Sequence, residues 1–131
     1  MKINRLISIG KILAIAILIL GIIHDIATFT PLINGGLGCL SPDDYKAMIY
    51  MSLICGTSFI LSGAVLILLL KKVEQYEFLT LTILIISVFL AVSGVLSVVF
   101  MFQNPFAWTA LLLTLSMLII TIGLKFKLDN K

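Results

Sequence analysis

One eight-residue stretch, Gly21-Ile22-Ile23-His24-Asp25-Ile26-Ala27-Thr28, carries the side chains on which chemistry could turn. It holds the only histidine of the protein, His24, and beside it Asp25, the one acid that the sequence places inside or at the edge of an apolar run. A carboxylate at the centre of a bilayer costs about 2.5–3.5 kcal/mol on insertion scales, so one that is kept there marks a functional position. The plain alternative is an interfacial or capping carboxylate paired with Lys46 or His24, and depth separates the two. With Lys11 at the inner boundary, a helical rise of about 1.5 Å per residue leaves Asp25 roughly 5–8 Å short of the outer edge. With the span starting at Leu6 and Lys11 snorkelling, Asp25 is already interfacial. His24 and Asp25 point about 100° apart on a helix, awkward for pairing with each other but compatible with one shared interior. The expected site is therefore an outward-facing polar pocket: His24, Asp25 and Thr28, with Tyr45, Lys46 and Tyr50 from the start of the next helix.

Other chemistries find less support. His24 with Asp25, Asp43 and Asp44 could offer nitrogen and oxygen ligands, but no paired-histidine or clustered Cys/His spacing accompanies them. A haem would have His24 as its one axial ligand and nothing else. Nucleophilic catalysis needs a serine or cysteine beside the histidine; Ser41 and Cys39 stand in the same layer, with no motif joining them. Gly35-Gly36-Leu37-Gly38 lacks the lysine and following pattern of a phosphate-binding loop. The sequence assigns no metal, and the cofactor is unknown.

The elements that must position these residues are set by composition. Of 131 residues, 61% are hydrophobic and 11% charged, with mean hydropathy +1.25. Water-soluble domains run nearer 45–50% apolar and about 25% charged, so the solvent of this chain is largely lipid. The net charge of +3 does not point to nucleic acid, because the basic residues cluster at the ends of apolar runs, with no stripe interleaved with aromatics. Cys39 falls in a loop and Cys55 several turns inside an apolar run, which predicts two free thiols.

Four runs each supply the roughly 20 apolar residues that cross a hydrocarbon core of about 30 Å. They predict helices over about 6–30, 42–70, 78–102 and 106–124 in a single domain, an all-α integral membrane bundle. The basic start followed by an apolar run also describes a signal peptide, but His24 and Asp25 occupy the places a cleavage site needs. Pro31 ends the first helix, and residues 33–40 form a glycine-rich loop. Ser41-Pro42-Asp43-Asp44 is a strong helix start: a capping serine, a proline in the first turn and two acids at the positive helix end. Lys71-Lys72 and Gln103-Asn104-Pro105 punctuate the later runs.

With both termini cytoplasmic, eight of the nine basic residues fall on the inner side and only Lys46 outside, as the positive-inside rule requires. Each helix also carries a stripe of small residues: Gly10, Ala14 and Gly21, on one face with His24, Asp25 and Thr28; Ser52, Cys55, Gly56, Ser62 and Gly63; Thr80, Ser87, Ala91, Gly94 and Ser97; Ala107, Ala110, Thr114 and Thr121. Lipid gives helices no hydrophobic push together, so such stripes mark close contacts and predict an up-down-up-down bundle. Serines and threonines in them are read first as packing groups bonded back to their own helix. Pro31 and Pro105 after the first helix of each half leave a 2+2 duplication open.

In architecture, four helices in a short chain, the protein resembles the small multidrug-resistance transporters. Their mid-membrane glutamate has no counterpart here, since Ile12 to Leu20 contains no acid, and Asp25 lies too far outward to inherit that role. Locally, Gly21-x-x-His24-x-x-Ala27-Thr28 resembles the end of the first helix in a group of small, uncharacterised four-helix bacterial membrane proteins. That resemblance implies a bacterial inner membrane and no activity. Three functions are carried forward. The first is binding or transport of a small hydrophobic or amphiphilic molecule at the outer pocket. The second is a structural or accessory subunit whose small-residue stripes meet a copy of itself or another membrane protein. The third is an enzyme using His24 and Asp25 as acid and base.

Overall fold

The computed structural model describes residues 3–31, 35 and 37–130. Lys2, Lys131 and loop residues 32–34 and 36, on which part of the charge count and of the loop reading rest, lie outside the described residues. Among the described residues four helices follow one another: α1 (Ile3–Thr28), α2 (Pro42–Lys72), α3 (Leu79–Phe100) and α4 (Pro105–Asp129). All four are long and apolar enough to cross a membrane, which makes this a multi-pass four-helix bundle.

The helix starts are chemical. Ser41 adopts an extended conformation and its hydroxyl accepts from Asp44 N at 3.2 Å, with Pro42 in the first turn. Asn104 does the same for α4, accepting from Phe106 N at 2.9 Å ahead of Pro105. The tight turn expected at Gln103–Pro105 is thus also a helix cap. The ends move by up to about a turn and a half from expectation. α1 closes at Thr28, with Phe29 and Thr30 in a turn bonded to Ile26 O and Ala27 O. α4 runs past Leu124 to Asp129, where Lys125 pairs with Asp129 at 3.0 Å and Leu128 is buried.

The helices occupy the corners of a square: α1 meets α2 and α4, α3 meets α4 and α2, and the diagonal pairs do not approach. Glycines set the α1–α2 distance. A Cβ at Gly21 would stand 2.6 Å from Gly56 O and 2.8 Å from Ile60 N, and one at Gly63 would stand 2.8 Å from Ala14 O. These contacts, with Gly10 against Leu70, step in opposite directions along the chain, so α1 and α2 run antiparallel. The same holds for α3 and α4, where Gly94 meets Thr114 and Ser87 meets Thr121. Ala14, Ile17, Phe59, Leu66, Ile83, Leu90, Ala110, Met117 and Leu124 form the interior, while Ile12, Phe78, Phe100, Leu112 and Ile119 face outward. Large apolar groups outside and small ones at the contacts is the arrangement that lipid favours.

Candidate functional site

The last two turns of α1 carry the site. His24 stacks on Phe106, the second residue of α4, with ring centroids 4.5 Å apart. That places the cluster in the layer where α1 ends and α4 begins. One side of His24 faces α2: its Nε2 lies 3.1 Å from Ser52 Oγ, which lies 2.7 Å from Thr28 Oγ1. Thr28 is fully buried, and its hydroxyl donates to His24 O at 3.0 Å.

Proton counting orders this chain. The single Thr28 proton is committed to the His24 carbonyl, so Ser52 must donate to Thr28. Ser52 Oγ can then only accept from His24, which puts a proton on Nε2. Three hydrogen bonds use three protons, and nothing in the chain is left over.

Asp25 turns to the other flank of the same interface. Its Oδ2 accepts from Thr57 Oγ1 at 3.3 Å, a long bond. Its Oδ1 is buried and, among the described residues, is the one buried side-chain oxygen or nitrogen without a hydrogen-bond partner. The Oδ1 atom occupies the place a side chain at position 56 would take. The Gly56 Cα–H therefore points at the oxygen, a weak donor of the kind that recurs where helices touch. No cation pairs with Asp25 among the described residues; the ion pairs there are Lys46–Asp43 and Lys125–Asp129.

Of the six expected site residues, the structure brings His24, Asp25 and Thr28 together. Lys46 stands apart from them, and Tyr45 precedes it in the first turn of α2. The antiparallel register that sets Thr28 against Ser52 leaves the first turns of α2 beyond the end of α1. Lys46 is exposed there and pairs with Asp43 at 3.6 Å. Asp25 thus meets Thr57 and Gly56 in place of the expected Lys46 or His24. Tyr50 occupies an intermediate place. With Leu53, Ile54, Thr57, Ser58 and Leu61 it lines a shallow outer groove of about 270 Å³ along α2, and Thr57 joins that groove to the Asp25 carboxyl. A larger depression of about 450 Å³ lies at the α3–α4 turn, Phe100 to Asn104, away from these groups.

Sequence reasoning missed Thr57 and Phe106 as site residues and read Ser52 and Gly56 as packing alone. Their signal was partial: Ser52 and Gly56 sit in the small-residue stripe of α2, but pairing them with His24 and Asp25 needs the register. Cys39 and Cys55 are free thiols. Among the described residues no three His, Cys, Asp or Glu side chains gather as metal ligands would. No protein-family model, curated protein or solved structure matches this chain.

Proposed function

We propose that the protein binds a small amphiphilic molecule at the outer end of the bundle, its apolar part in the α2 groove and its polar head beside Thr57 and Asp25. The observation that carries this reading is the Asp25 carboxyl: one oxygen buried without a partner, the other on a long bond to a groove residue, and no ion pair to it among the described residues. Buried polar groups left in this state are exceptions that ask for a reason. A positively charged or hydrogen-bond-donating head supplies one. Tyr50, His24 and Thr28 complete the setting, the last two by holding the end of α1 against α2. The groove is close to the lower end of the roughly 300–1,000 Å³ range of ligand pockets, so the molecule is small.

In this reading the bundle runs up-down-up-down with both termini cytoplasmic, in a bacterial inner membrane. The antiparallel contacts and the basic residues at the inner ends support that orientation. Tyr45 and Lys46 then stand at the outer surface, where an approaching molecule first meets the protein.

The test is equilibrium binding of tetraphenylphosphonium, a lipophilic cation, and of the isosteric anion tetraphenylborate to the purified protein in detergent. The cation should bind saturably and better than the anion, and Asp25→Asn should weaken it about tenfold, roughly 1.4 kcal/mol. No saturable binding of the cation, or the same affinity in the Asn variant, would overturn the reading.

A second reading has its own observation. The interface around His24 is filled by hydrogen-bonded side chains and a stacked ring, as in a membrane subunit whose outer face meets another helix. A self-associated state in nanodiscs, broken by bulky substitutions at Ile54 or Leu61, would favour it.

A further inference from the structure

The inner end of the bundle, where α1 starts and α2 stops, gathers positive charge at one defined point. Gly10 lies where three helices meet: a Cβ there would stand 3.3 Å from Leu70 Cδ1 on α2 and 3.6 Å from Ile120 Cγ2 on α4. Lys11, the next residue of α1, is therefore level with Lys71, the residue after Leu70. On antiparallel helices that touch at Gly10 and Leu70, one further residue turns by about 100° on each, and both turns lead to the same side. The two lysine stems thus leave from one flank of the α1–α2 seam. Asp25 and Thr57 meet on that same flank, near its outer end.

These charges have no counter-ion in the protein. Among the described residues the ion pairs are Lys46–Asp43 and Lys125–Asp129, so neither Lys11 nor Lys71 is in one. Glu74 and Glu77, on the link after α2, are exposed and pair with neither. Lys71 is exposed and Lys11 half-buried, as for a stem held against the helices with its charge at the interface. Outward of the lysines the flank is apolar: Ile15 of α1 and Leu68 and Leu61 of α2 are exposed. Leu61 lies about 15 Å from Lys71 by helical rise, half of the roughly 30 Å hydrocarbon core. It is also the inner end of the Tyr50–Leu61 groove.

We propose that this flank binds one anionic phospholipid from the leaflet at this end. Its phosphate sits between Lys11 and Lys71, and an acyl chain runs along the apolar flank toward Leu61. Two cations without a counter-ion fit an anion, and the hydrocarbon surface beside them fits a chain attached to it. A zwitterionic headgroup brings its own cation and gains less from the pair. Basic segments are drawn to anionic leaflets in general, but here the helix register brings two lysines of different helices to one point. Bound there, the lipid ties the first turns of α1 to the last turn of α2. The site is at the opposite end of the flank from Asp25, and it stands or falls independently of ligand binding there.

Native mass spectrometry of the detergent-solubilised protein tests it, with titrations of phosphatidylglycerol and of phosphatidylcholine carrying the same chains. Phosphatidylglycerol should bind saturably and at least about tenfold more tightly than phosphatidylcholine, the scale that two lysines near an anionic lipid supply. The double variant Lys11→Gln with Lys71→Gln should lose that preference, while Lys11→Arg with Lys71→Arg should keep it. Arg5→Gln with Lys127→Gln removes the same charge at two exposed positions. It should change the affinity by less than about twofold, because solvated charges are screened by salt. Equal binding of the two lipids, or an equal loss in both glutamine variants, would overturn the site. Displacement of phosphatidylglycerol by millimolar inorganic phosphate would show a free-anion site and overturn the lipid as its occupant.

Discussion

The two hairpins solve the same packing problem with opposite polar economies. Across α3–α4, Ser87 and Thr121 lie 3.0 Å apart while each also donates to its own helix, to Ile83 O at 2.8 Å and Met117 O at 2.9 Å. Two protons serve three bonds, but each hydroxyl always has a carbonyl to fall back on. Across α1–α2, Thr28, Ser52 and His24 use every proton in one ordered chain, and next to it Asp25 keeps a buried oxygen without a partner. One interface is self-sufficient. The other is complete except at one carboxyl, and that single deficit separates a candidate site from structural glue.

The largest effect should come from Gly21→Ala. Its new methyl meets backbone atoms of α2 at 2.6 and 2.8 Å, which cannot move without separating the helices. A loss of about 3 kcal/mol is expected, at the upper end for overpacking, read by reversible unfolding in detergent. Gly94→Ala on the other hairpin meets Thr114 Oγ1 at 2.5 Å and Leu111 Cα at 3.0 Å. It should cost less, since its closest contact is a side-chain atom and the nearest backbone atom stands at 3.0 Å, against 2.6 and 2.8 Å at Gly21. If the two variants are equally destabilised, the contrast in how tightly the hairpins are held is wrong.

Gly56→Ala isolates the carboxyl. Its methyl would overlap Asp25 Oδ1, a side-chain atom, so the damage of about 1–3 kcal/mol should be largely relieved in the Asp25→Ala background. A double-mutant cycle with no coupling would remove Asp25 from the interface. Smaller still are the hydroxyl deletions. Ser52→Ala strips both Thr28 and His24 of their partner and should approach the roughly 1.7 kcal/mol ceiling seen for polar contacts between membrane helices. Ser87→Ala should sit near the average of about 0.6 kcal/mol. Reversal of that order would show that the ordered chain adds nothing. At the bottom of the scale, Gly123→Ala has its nearest neighbour at 3.8 Å and should leave the unfolding midpoint unchanged or slightly raised.

Much of this was legible before any fold was known. Four apolar runs, the Ser41-Pro42 start and the lysines at helix ends announce lipid-spanning helices, because the bilayer's thickness and the helical rise are fixed quantities. Small-residue stripes announced which faces would touch, and Gly21, Gly56, Gly63 and Gly94 are where they touch most closely. Thr28 and His24 also belonged to one face by periodicity alone.

What the sequence by itself determined, then, is the number of helices, their apolar character and the exceptional place of His24 and Asp25. The tertiary structure decided the partners. Helical periodicity says which way a side chain points, but the slide of one helix along another is free until glycines lock it at particular carbonyls. With Gly21 seated on Gly56, Asp25 falls beside Thr57, and Lys46 is carried past the end of α1 to pair with Asp43. A single-turn slip would have changed every polar neighbour while leaving every sequence pattern intact.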